Sequence, residues 1–60
     1  MTNGYVFQLL DGRFVQIGVK LTFTTNIAEA TFIINLGVLP DDITRELKEL
    51  QASLIGTVRV

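Results

Sequence analysis

The 60-residue chain has no cysteine, no histidine and no tryptophan, and only one proline and one serine. Without cysteine no disulfide can brace the fold, so stability has to come from packing. The same absences remove the usual ligands of soft and borderline metals, and only a carboxylate site is left conceivable. Catalysis by imidazole or thiolate is excluded, and the lone Ser53 has no base to activate it. No cofactor is expected.

Charge of one sign is also scarce. Five basic residues stand against six acidic ones, and Arg13, Lys20, Arg45, Lys48 and Arg59 are scattered along the chain. Nucleic-acid binders draw most of their affinity from phosphate neutralisation and carry a basic stripe, which is missing here. Uninterrupted apolar runs are short, far from the roughly 18 to 20 residues that cross a bilayer. The opening residues MTNGYVFQLLDG carry neither a basic start nor a small-residue cleavage site, so the expected location is cytoplasmic, away from a membrane.

What is abundant is apolar surface. The hydrophobic fraction is 48% and the mean hydropathy is +0.45, high for a single small domain with little interior in which to hide it. A contact with another molecule is therefore expected, and a homodimer is the usual remedy for a core too small to stand alone.

Three segments read as strands, over about residues 4–10, 13–25 and 30–36. Gly12 supplies the left-handed third residue of a Leu10-Asp11-Gly12 hairpin loop, which sets Leu9 opposite Arg13, Phe7 opposite Val15 and Tyr5 opposite Ile17. Strict alternation then runs from Val15 through Ile17, Val19 and Leu21 to Phe23. The stretch LTFTTNIAEATFII, Leu21 to Ile34, is nearly a mirror of itself. As a hairpin closed by Asn26 to Glu29 it would set Phe23 opposite Phe32 and Leu21 opposite Ile34.

After Gly37 the period changes. Pro40, Asp41 and Asp42 suit a helix start, and Ile43, Leu47, Leu50 and Leu54 form one stripe, so a helix is expected over about residues 40–55 with Gly56 as its stop. Residues 57–60 read as a short strand that must pair with an existing edge or another molecule. The expected fold is thus one α+β domain, residues 1–60. A three-stranded antiparallel meander packs its odd-numbered face on the C-terminal helix, and a short last strand follows.

That arrangement leaves Val6, Phe14 and Ile33 on the other face, and residues Thr57, Val58, Arg59 and Val60 on an edge. These seven are the candidate interface residues. The carboxylates have turn or helix-start roles to explain them: Asp11 and Glu29 in loops, Asp41 and Asp42 at the helix start. The isolated glycines form no phosphate loop. The expected function is a non-catalytic protein-binding or regulatory module of the inhibitor or adaptor kind. It would act as a homodimer through its sheet face or edge strand, with a protein partner. Two alternatives use overlapping residues: nucleic-acid binding through Arg13, Lys20 and Arg59, and structural self-assembly through strand edges.

Overall fold

The computed structural model describes residues 1–59, so the expectations for Val60 lie outside the described residues. The chain is an α+β protein, as the change of period near Gly37 predicts. Strands β1 (Thr2–Gln8), β2 (Phe14–Ile17) and β3 (Leu21–Thr24) are followed by helix α1 (Asp41–Glu49) and strand β4 (Ser53–Arg59). They form one antiparallel sheet in the order β3-β2-β1-β4.

Next to its turn the first hairpin has the expected register, but the strands then diverge: the expected pairing does not continue to Tyr5 and Ile17, and Tyr5 pairs with Ile33 instead. Gln8 pairs with Phe14, the Leu9 amide donates to the Arg13 carbonyl at 2.7 Å, and Gly12 takes a φ of 96°. The Asp11 carboxylate closes the turn by accepting from the Arg13 backbone N–H at 3.0 Å and from its guanidinium at 2.7 Å.

The expected long strand over 13–25 is instead two strands folded back on each other around Gly18, Val19 and Lys20, with Ile17 opposite Leu21 and Val15 opposite Phe23. A turn of three residues keeps odd-numbered side chains on one face of both strands. Period-2 patterning therefore reads the same for a straight strand and for this hairpin. Val19, expected in the core, is at the exposed turn tip.

Because β3 already pairs with β2, the mirror hairpin does not form. Asn26 caps a 3-10 turn over Ile27–Glu29 by accepting from the Ala28 amide, and Thr24 donates its hydroxyl to Glu29 at 3.0 Å. The chain then crosses to the gap where β2 peels away from β1. There the Thr31 amide donates to the Val15 carbonyl at 3.1 Å, and Ile33 exchanges two 2.8 Å hydrogen bonds with Tyr5. Thr31 Oγ1 also accepts from the Ile17 amide at 2.7 Å. The expected strand over 30–36 is thus a short crosspiece, fixed because backbone groups of diverging strands need partners.

The helix is shorter than the expected 40–55. It ends in a Schellman motif: Gln51 adopts φ 56°, its amide donates to the Lys48 carbonyl, and the Ala52 amide donates to that of Leu47. Gly56, the expected stop, lies in the middle of β4. The chain thereby turns seven residues into the edge strand, which pairs with β1 along its whole length, from Thr2 opposite Arg59 to Gln8 opposite Ser53.

Two coverings result, one on each face of the sheet. The odd-numbered face expected to meet the helix does so at one end, where Leu9, Val15 and Leu47 are buried with Phe7, Ile17, Leu21, Ile43 and Ala52 packed around them. On the opposite face, at the other end of β1, the crosspiece does the covering. Phe32 stands so close to Gly4 that a Cβ there would come within 2.5 Å of its ring. Val6, expected on an open face, is completely buried.

Candidate interaction surface

Helix α1 is only nine residues long, and it packs where the first hairpin meets β2 and β3. The end of the odd-numbered face where β1 meets β4 is left uncovered. Pairing of Phe7 with Leu54, Tyr5 with Gly56 and Asn3 with Val58 places these six residues on one face, by the alternation of side chains along each strand. Phe7 reaches the core, but Tyr5 is 39% exposed, Leu54 40% and Val58 51%. Ile34, just beyond the crosspiece, is 66% exposed. Asn3, Tyr5, Ile34, Gly56 and Val58 contribute to the wall of an open depression of about 380 Å³. Gly56 supplies its bare floor, since nothing lies within 4 Å of where its Cβ would be.

Beside this apolar surface is an unpaired strand edge. In an antiparallel ladder, residues alternate between those whose N–H and C=O face one neighbour and those that face the other. Tyr5 directs both groups to Ile33, on the side away from β4. Its partner Gly56 therefore does not bond to β1 through its own N–H and C=O, which point outward together with those of Leu54 and Val58. Edge strands are ordinarily blunted by lysine, proline or an inward charge. β4, Ser-Leu-Ile-Gly-Thr-Val-Arg, has only Arg59.

Arg59 is turned into its own chain. Its guanidinium donates to the carbonyls of Ile27 at 3.2 Å and Ala30 at 3.1 Å and lies 5.0 Å above the centre of the Phe32 ring. It clamps the crosspiece to β4. Arg13 is engaged likewise, by Asp11 and by the Phe23 ring at 5.1 Å. The two phenylalanines that the mirror would have paired are each covered by an arginine instead. Lys20 is exposed on the turn between β2 and β3. Arg13, Lys20 and Arg59, the candidate phosphate contacts, thus lie in the β1–β2 turn, in the β2–β3 turn and at the end of β4, and Arg13 and Arg59 are already engaged.

Of the other candidate interface residues, Val6 and Ile33 are sealed within the protomer, which removes them from any contact surface. Phe14 is half-buried between Gln8 and Thr24 on neighbouring strands. Thr57 is half-buried on the face covered by the crosspiece, while Val58 is open to solvent. Alternation and the helical stripe assign Tyr5, Ile34 and Leu54 to the core, whereas all three are exposed. A signal for the correct placement of Leu54 was present, because the run Leu54-Ile55-Gly56-Thr57-Val58 is as strand-like as the four terminal residues and extends them backwards through Gly56.

Asp11, Arg13, Glu29 and Arg59 have structural partners. Hydrogen bonds from the Arg13 backbone and side chain, with the nearby positive charge, hold the Asp11 carboxyl below its ordinary value of 3.8. Among the described residues no three of the metal-binding types come together, and no helix is long and apolar enough to cross a membrane. Comparison of the chain with protein-family models, with curated proteins and with solved structures finds no match in any of the three.

Proposed function

We propose that this chain is a non-catalytic protein-binding module, of the small inhibitor or adaptor kind, and that it works as a homodimer through the β1–β4 end of its sheet. The observation that carries this reading is the coincidence of two unsatisfied features. Exposed Tyr5, Ile34, Leu54 and Val58 lie next to the outward backbone groups of Leu54, Gly56 and Val58. Apolar area favours contact without direction, and a bare strand edge supplies the direction.

The roles of the polar groups support a binding rather than a chemical function. Asp11 closes a hairpin, Glu29 receives the Thr24 hydroxyl, and Asp41 and Asp42 occupy the first turn of α1, where the helix dipole favours negative charge. The opposite edge strand, β3, has only four residues, and a short edge offers little to further pairing, which favours a pair over a longer array.

The test is self-association by light scattering up to about 100 μM, a concentration that detects contacts weaker than ordinary specific ones. The wild type is expected at twice 6.7 kDa, and Val58→Asp, at an exposed position of β4, is expected to shift the equilibrium toward monomer while leaving the fold intact. A wild type that stays monomeric, or a Val58→Asp variant that associates as well as the wild type, refutes the proposal.

A further inference from the structure

We infer that the second copy pairs through β4 itself, antiparallel to its counterpart, on a two-fold axis that passes through Gly56. This rests on the homodimer reading above and specifies its geometry.

The register follows from which backbone groups are free. Only residues whose N–H and C=O point outward can exchange hydrogen bonds with a new strand, and on β4 these are Leu54, Gly56 and Val58. A two-fold related antiparallel pairing matches residues whose numbers have a constant sum. Centring the axis on Gly56 matches Leu54 with Val58 of the second copy, Gly56 with Gly56, and Val58 with Leu54. All three outward residues then find outward partners. Centring on Ile55 or on Thr57 leaves one of the three without an outward partner in β4.

Side chains agree with the same axis. On the exposed face, Leu54 of one copy falls beside Val58 of the other, joining two apolar groups that solvent now touches. Across the axis the row reads Tyr5, Gly56, Gly56, Tyr5, so that two aromatic rings flank a floor of glycine, an arrangement in which rings compensate for the missing side chains. On the other face Ile55 meets Thr57. No charge approaches its like, since the only ionised side chain of β4, Arg59, is held by Ile27, Ala30 and Phe32 of its own protomer. Joining the two four-stranded sheets at β4 makes one continuous eight-stranded sheet, with β3 at both outer edges.

The experiment is charge complementation at the Leu54–Val58 rung. Leu54→Lys and Val58→Glu both alter solvent-exposed positions, so each variant keeps the fold, checked by amide chemical shifts. Each alone should weaken self-association at least about tenfold. Mixed in equal amounts, they form a heterodimer that gains a Lys–Glu rung and retains one Leu–Val rung, and native mass spectrometry should show it in clear excess over either homodimer. Gly56→Pro serves as a second variant, because the Gly56 N–H faces away from β1 and has no partner among the described residues; it should be folded and monomeric. A wild-type dimer whose two charge variants show no preference for each other, or a dimeric Gly56→Pro, overturns the β4 pairing while leaving the homodimer reading standing. A wild type monomeric to about 100 μM overturns both and leaves the edge to a strand of a different protein.

Discussion

Gly4 is the position where the crosspiece can be tested with a single methyl group. A Cβ added there would lie 2.5 Å from the Phe32 Cζ, 2.9 Å from its Cε1 and 2.8 Å from the Ile33 carbonyl oxygen. The ring belongs to a side chain already held under Arg59, and the oxygen is the acceptor of the Tyr5 amide at 2.8 Å. Neither can retreat without weakening the bond that ties the crosspiece to β1. Overpacking of this kind costs about 1–3 kcal/mol, and a weakened buried hydrogen bond adds about 1 kcal/mol. Alanine recovers about 0.5–1 kcal/mol through the smaller entropy of its unfolded chain. The net loss for Gly4→Ala is about 2 kcal/mol, a large share of the roughly 3–9 kcal/mol available to a domain of this length.

The assay is urea denaturation at one fixed protein concentration, with Gly18→Ala as the internal control. A Cβ at Gly18 would meet only the Lys20 carbonyl oxygen, at an ordinary 3.8 Å, and the same substitution there should be neutral or mildly stabilising. Gly4→Ala should lower the melting temperature by about 10 °C and speed amide exchange at Tyr5 and Ile33. A Gly4→Ala variant within about 0.5 kcal/mol of the wild type, or one no worse than Gly18→Ala, would refute the placement of Phe32 and the crosspiece.

Three further outcomes are expected. Gln51→Gly should stabilise the protein by about 0.5–1 kcal/mol in the same denaturation assay, because Gln51 now bears the left-handed conformation that ends α1; a loss of stability would contradict the Schellman ending. Arg59→Ala should cost about 2 kcal/mol through the two carbonyl bonds and the Phe32 contact, and Arg59→Lys should recover only part of it, since an ammonium lacks the planar fork. The Asp11 carboxyl, with its folded pKa below the unfolded one, stabilises the hairpin above the unfolded pKa and loses that contribution as pH falls through the folded value. An NMR titration of its side chain should give a midpoint below 3.8, and Asp11→Asn, which cannot ionise, should abolish the contribution of this position to the pH dependence of stability.

The parts of the fold legible in the sequence were those governed by local chemistry. Asp11 and Gly12 specified the first turn, alternation specified which side chains of β2 and β3 share a face, and Ile43 and Leu47 specified the buried side of the helix. What alternation could not reveal was the turn at Gly18 to Lys20, because folding a strand around an odd number of residues preserves parity. Once β3 occupied the outer side of β2, Thr31 to Ile33 had to find other partners, and no local signal in the near-mirror points to the gap beside Tyr5. The helix end was missed for a related reason: glutamine at a left-handed position carries no composition signal, whereas Gly56 did and misled. These two displacements exchanged the open and covered faces around β1, which is why Val6 is inside and Tyr5 outside.

Leu54, Gly56 and Val58 present an unpaired strand edge, and their own amides report most directly on whether a second copy covers it. In a lone protomer these three amides point away from β1, have no acceptor among the described residues, and should exchange with solvent at nearly unprotected rates. If β4 pairs with a second copy, hydrogen exchange followed by NMR at several protein concentrations should show all three slowing together as concentration rises, with Ile55 and Thr57 protected throughout by β1. Amides at 54, 56 and 58 that exchange freely at every concentration would contradict it.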